Sequence, residues 1–274
     1  MDTKYIEIDI TLIDPYPNHP FKVDNDGEMT ALCSSISDIG LMFPIVVRQK
    51  EDDRYELISG HRRKRACEIL GYKTIKCRVV DLTNEKAAVF MVDSNLSRQK
   101  ILPSELAFSY KIKRDALSKQ GLFDDAKIQD TFGVSRTQFY RYISLTRLIP
   151  ELLDYVDAER MKMRPAVEIS YLDETHQKML LDAINYYDAT PSHAQAIRLR
   201  EQYENGMLDE NMIYQIMSEE KPNQKERIAL DYQTVKGFVP INIPDNELAD
   251  FIFYVLKQYA KARKRAQQDK TNQR

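Results

Sequence analysis

The chain has 274 residues, 43% of them hydrophobic, with 40 Lys+Arg against 42 Asp+Glu. That length suits about two domains of ~100 to 200 residues with at least one sizeable core, and the composition excludes a wholly disordered or fibrous chain. The net charge of -2 identifies no partner. No run approaches the ~18 apolar residues of a membrane span, and the acidic start lacks the layout of a signal peptide. Cys33, Cys67 and Cys77 form neither a CxxC pair nor a disulfide framework. A soluble cytoplasmic protein with no membrane partner is expected.

Ile6 to Ile13 alternates apolar and polar residues and ends at Pro15, Pro17 and Pro20, as an edge strand would. Leu32, Ile36 and Ile39 then fall at helical spacing, with Gly40 placed as a C-cap. Pro44 to Arg48 and Tyr55 to Ile58 read as strands across a charged turn, His61 to Leu70 as a helix closed by Gly71, and Ile75 to Val80 as another strand. The first hundred residues therefore predict a small α+β domain. From Asn84 onward the spacing is helical, over Glu85 to Asn95, Pro103 to Gln120, Asp124 to Phe132, Arg136 to Leu148 and Glu151 to Glu159. It continues over 164–217 with breaks near Asp173, Thr190-Pro191 and Gly206. Lys221-Pro222-Asn223 reads as a linker, Val239 to Ile243 as a short strand, and Asp245 onward as a helix with a basic end, Lys257 to Arg265. The expected parts are 1–100, 101–222 and 223–274.

Three constellations carry chemistry. Ser59-Gly60-His61-Arg62-Arg63-Lys64-Arg65-Ala66 lies between a strand and a helix. A glycine there lets the backbone approach a ligand, first-turn amides bind anions, and arginines add forked donors for phosphate oxygens. A basic helix start by itself is more often a solvated face. The second constellation, Asp93 to Glu105, follows one helix and opens another at Pro103, where proline is tolerated. The third, Ala126 to Ile143, reads as a helix-turn-helix. Ile128, Phe132, Val134, Phe139 and Ile143 can pack inward, Gly133 allows the turn and Ser135 can cap the second helix. That helix would present Arg136, Thr137, Tyr140 and Arg141 to a major groove. Near the C-terminus, Leu248, Phe251, Ile252, Val255, Leu256 and Tyr259 form one apolar face, which suits a homodimer contact.

The Ser59 to Ala66 block followed by Asn-x-x-Arg-x-x-x-x-Pro-x-Glu over Asn95 to Glu105 resembles the nucleotide-binding domain of the ParB chromosome and plasmid partition family. The resemblance spans roughly residues 6–175, including Ile13-Asp14-Pro15, Asn18, Pro20 and the segment from Ile36 to Arg48. It implies a ParB/sulfiredoxin-like α+β N-terminal domain, an all-α helix-turn-helix domain and a short C-terminal association segment with a basic tail. It implies CTP and Mg2+ as ligands, with Gly60, His61, Arg62, Arg63 and Arg65 on the phosphates. Asn95 and Arg98 would complete the pocket, and Asn95 would also meet the metal. It further implies duplex DNA bound through Ser135, Arg136, Thr137, Tyr140 and Arg141, a ParA-like ATPase as partner, and a nucleoid or plasmid association. His61 stands where the family has Glu in Gly-Glu-Arg-Arg, and Ser94 where it has the Glu before Asn. CTP hydrolysis is accordingly expected to be weak or absent. Sulfiredoxin and a free-serine kinase share the fold, but sulfiredoxin needs a cysteine where this chain has Gly60. Two other functions stay open: a nucleotide-sensing transcriptional regulator of a mobile element, and a nucleotide-dependent phosphotransferase or nuclease.

Overall fold

The computed structural model describes residues 4–96, 100–219 and 251–259. The chain divides into two compact units, 1–219 and 220–274. The expected division at residue 100 falls inside the first unit, and the linker at 221–223 and the strand at 239–243 lie outside the described residues.

The first unit opens with a mixed sheet of five strands: β1 (Lys4–Asp9), β2 (Ile13–Asp14), β3 (Ile45–Gln49), β4 (Tyr55–Ser59) and β5 (Thr74–Val79), in the order β1-β5-β3-β4-β2. The alternating run from Ile6 to Ile13 is not one strand. Asp9 accepts the Thr11 N–H at 2.9 Å and starts a 3-10 turn, Ile10–Leu12, which carries the chain from one sheet edge to the other. β5 pairs antiparallel with β1 and parallel with β3, and β3 pairs antiparallel with β4. Helices α1 (Gly27–Ile39) and α2 (His61–Ile69) complete the sheet layer. Met29 and Ile36 from α1 and Ala66 and Cys67 from α2 join Ile45, Val47, Leu57, Ile75 and Cys77 in one core. Cys67 is thus a small core residue, and burial pushes the Cys77 thiol up to about 12.

Helix α3 (Asn84–Leu96) packs Ala87, Met91 and Val92 against Phe21 and Ile58. Helices α4 (Pro103–Lys119), α5 (Ile128–Phe132), α6 (Arg136–Leu145), α7 (Pro150–Asp157), α8 (Met163–Ile169), α9 (Glu174–Tyr187), α10 (His193–Glu204) and α11 (Glu210–Ser218) follow. The run expected to be helical from Asp124 begins as a 3-10 turn, Asp125–Lys127, because Asp124 accepts the Ala126 N–H at 3.0 Å. The Leu102–Glu105 start of α4 is doubly tied. Glu105, buried, accepts the N–H of Leu102 at 2.9 Å and, across the fold, that of Lys22 at 2.7 Å. Ser104 gives its N–H and hydroxyl to Asp157 at the end of α7. The start of α4 therefore fixes the helical part against the sheet part.

In the second unit the described residues 251–259 are helical. Of the apolar face expected there, Leu248 lies outside the described residues, Phe251 and Ile252 are half-buried, and Val255, Leu256 and Tyr259 are exposed.

Candidate functional site

Gly60 joins β4 to α2 with φ 102° and ψ 28°, a left-handed conformation that glycine adopts without strain. A Cβ at this position would stand 2.8 Å from the buried Ile45 Cγ2 and 3.1 Å from Arg63 Nη2. The missing side chain thus makes room for a strand residue and a guanidinium at the head of the helix. The first helical hydrogen bond of α2 runs from the Lys64 N–H to the Gly60 carbonyl at 2.9 Å, and the amides before it open the helix.

The four other residues expected on phosphate differ in what they touch. His61 is buried and stacks on His19 with ring centroids 3.6 Å apart, and His19 in turn meets Phe21 at 5.5 Å. Arg62 reaches Asp26, the N-cap of α1, at 3.0 Å and Glu28 at 3.6 Å. The Asp26 carboxyl is held below its ordinary value, first by Arg62 and then by the Met29 N–H it caps. Arg63 donates to the carbonyls of Phe43 at 2.8 Å and Pro44 at 2.7 Å, and burial pushes its pKa down. Arg63 therefore anchors the 43–44 turn beside Gly60 and does not stand open to a phosphate. Arg65 is half exposed and pairs with Glu68 at 3.4 Å, while Lys64 pairs with the same Glu68. Arg65 is the most exposed cation of this turn, and Arg62, 23% exposed, is held by carboxylates, not by backbone carbonyls.

Asn95 is buried at the end of α3, and its Nδ2 donates to the Met91 carbonyl at 2.8 Å. The Ser94 hydroxyl donates to that same carbonyl at 3.0 Å. The Asp93 carboxylate is taken by Lys113 of α4 at 2.6 Å, and Lys113 donates also to the Thr131 carbonyl at 2.9 Å and lies over the Phe132 ring. Magnesium favours one or two carboxylates together with substrate phosphates. The run 93–95 offers an uncharged Asn oxygen and a carboxylate already paired, a donor set that does not fit a magnesium ion. Arg98 lies outside the described residues.

At the third constellation, Ile128, Phe132 and Phe139 are buried around Tyr110, with Val134 and Ile143 packed against them. Gly133 takes φ 72° at the end of α5, and Ser135 caps α6 by accepting the Gln138 N–H at 3.2 Å. The inward residues read from spacing are those that pack. On the outer side Arg136, Thr137, Tyr140 and Arg141 line one open groove of about 300 Å3 together with Ser144, Val167 and Tyr171. Tyr171 adds a feature that spacing did not reveal, since Arg200 and Arg147 lie over its ring at 3.7 Å and 4.7 Å.

The first unit is thus an α+β head with a left-handed glycine opening a basic helix, joined to a helical body with a groove of basic and hydroxyl side chains. Residues 2–96 match the ParB N-terminal domain. The probable chromosome-partitioning protein ParB of Campylobacter jejuni is 30% identical over 177 residues, covering 65% of this chain and 62% of that protein. Its counterpart in Helicobacter pylori is 29% identical over 181 residues, covering 66% of this chain and 61% of that protein. Residues 2–96 are thus a ParB N-terminal domain, and the chain is similar to chromosome-partitioning ParB proteins over about two thirds of its length. It matches less than two thirds of the length of these two relatives. Among solved structures, the C-terminally truncated chromosome-partitioning protein ParB from Caulobacter crescentus, complexed to the centromeric parS site, aligns with 77% of this chain and 98% of its own at 21% identity and a TM-score of 0.42.

Proposed function

We propose that the chain is a ParB-like, CTP-binding, sequence-specific duplex-DNA-binding protein that acts in partition or maintenance of a chromosome, plasmid or mobile element. Residues 1–100 form its nucleotide-binding domain and 101–222 its helix-turn-helix domain. Residues 223–274 are its association segment, through which it forms a homodimer, and a ParA-like ATPase is its partner. The observation that carries the reading is the groove on α6, where Arg136, Thr137, Tyr140 and Arg141 converge. A recognition helix meets base edges with its first turn, and its capped start orders that turn. On the nucleotide side, Gly60, the first-turn amides of α2, Arg62 and Arg65 supply a polyphosphate cradle. With Ser94 in place of a carboxylate, the site binds the nucleotide with weak or absent turnover. The partitioning role of the Campylobacter and Helicobacter relatives supports the same biological setting.

Duplex-binding isotherms of Arg136→Ala and Arg141→Ala at several salt concentrations test the DNA reading. The duplexes are one the unmodified protein enriches from a random pool and a scrambled counterpart. Arg136 lies in the first turn of α6, so its loss should cost ~1 to 3 kcal/mol of discrimination between the two duplexes. Arg141 lies nearer the flanking backbone. Its loss should weaken both duplexes alike and reduce the salt slope by about one phosphate equivalent. If neither substitution changes either isotherm, α6 is not the reader.

A further inference from the structure

Arg136 and Tyr140 stand one turn apart on α6, and both end on the same carboxylate. Asp125, in the 3-10 turn before α5, accepts from Arg136 Nε through Oδ2 and from the Tyr140 hydroxyl through Oδ1, the latter at 2.6 Å. The Arg136 guanidinium also lies over the Tyr140 ring, 5.5 Å from its centroid. The Arg136 and Asp125 side chains are 68% and 40% exposed, and an ion pair so exposed adds little to stability. Fold stability is therefore a poor account of why three side chains from two elements converge here.

The contact has two consequences for a nucleic acid in the groove. Gripping Arg136 by Nε fixes the guanidinium while leaving its two terminal nitrogens available, the pair that forks onto the O6 and N7 of guanine. A carboxylate bound to two of the groove's side chains also sets a negative charge against an approaching polyanion, which lowers the affinity that any sequence receives from backbone contacts. Tyr140 and then Arg136 hold the Asp125 carboxyl below its ordinary value, so the charge is retained at neutral pH.

We infer that Asp125 is a specificity-determining positioning residue, which pre-orients Arg136 and Tyr140 for base reading and repels duplexes that offer no matching base edge. The inference rests on the assignment of α6 as the DNA reader. Asp125→Ala and Asp125→Asn, measured against the enriched and scrambled duplexes across a range of salt, test it. Asp125→Ala should bind the scrambled duplex more tightly and cut the ratio of enriched to scrambled affinity about tenfold, with the salt slope on scrambled DNA steeper by about one phosphate equivalent. Asp125→Asn keeps an acceptor oxygen without the charge and should recover part of the lost ratio while keeping the steeper slope. An unchanged ratio in both variants, with the unmodified protein still selective, overturns the role of Asp125 alone. If the unmodified protein enriches no sequence from the pool, the DNA-reading function falls and the Asp125 inference with it.

Discussion

Asp93→Ala should destabilise the first unit by roughly 3 kcal/mol, whereas Lys113→Met should change its stability by less than ~1 kcal/mol. The asymmetry follows from burial. The Lys113 side chain is 9% exposed and the Asp93 side chain 49%. Removing Asp93 leaves a desolvated ammonium with only the Thr131 carbonyl and the face of Phe132 for compensation. Removing Lys113 returns a half-exposed carboxylate to water, and methionine fills the space left by the alkyl chain. Denaturant unfolding of the two variants under identical conditions measures the difference. Equal losses, or a larger loss for Lys113→Met, would mean that the pair is not organised by the burial of the lysine. The contact has a functional position as well, since it ties the 93–95 run of α3 to the end of α5, where the turn into α6 begins.

Gly60→Ala should be costly on two independent grounds. The left-handed backbone at φ 102° strains any residue with a Cβ by ~1 to 3 kcal/mol, and a Cβ at 2.8 Å from Ile45 Cγ2 forces a fully buried side chain off its rotamer at a further ~1 to 3 kcal/mol. A total of about 2 to 6 kcal/mol is comparable to the whole stability of a marginal domain. Thermal unfolding should show a large drop in Tm, and nucleotide affinity should fall with it because Arg63 and the 43–44 turn share the space. A variant with unchanged Tm would show that the turn relaxes freely and that the glycine serves no cradle.

The sequence made the local features legible and left the long-range ones hidden. Gly40, Gly71, Gly133 and Ser135 mark helix ends through chemistry that acts within four residues, and each does so in the structure. The inward set Ile128, Phe132, Val134, Phe139 and Ile143 follows from helical period alone. Arg63 shows where this reasoning stops. Its position in a basic block suggested phosphate, but its partners are carbonyls 19 and 20 residues upstream, which no spacing rule connects to it. Asp125 and Lys113 were missed for the same reason, because long charged side chains choose partners across elements whose packing is set elsewhere. Asp26 was closer to hand. An acidic residue three before Met29 is a capping pattern, and the cap is what brings it to Arg62. The alternation from Ile6 to Ile13 misled in the other direction, since period two does not reveal that Asp9 turns the chain between two sheet edges.

Calorimetric titration of CTP into the unmodified protein and into Arg62→Ala, each with and without the enriched duplex, tests the nucleotide assignment most directly. Arg62 stands in the first turn of α2 with its side chain 23% exposed, and losing a largely buried charge-assisted phosphate contact costs about 2 to 5 kcal/mol. The unmodified protein should give a saturable CTP isotherm, and Arg62→Ala should bind at least about tenfold more weakly. No CTP binding by the unmodified protein with or without duplex, or equal affinity in Arg62→Ala, would contradict the assignment of the Gly60 turn as the nucleotide site.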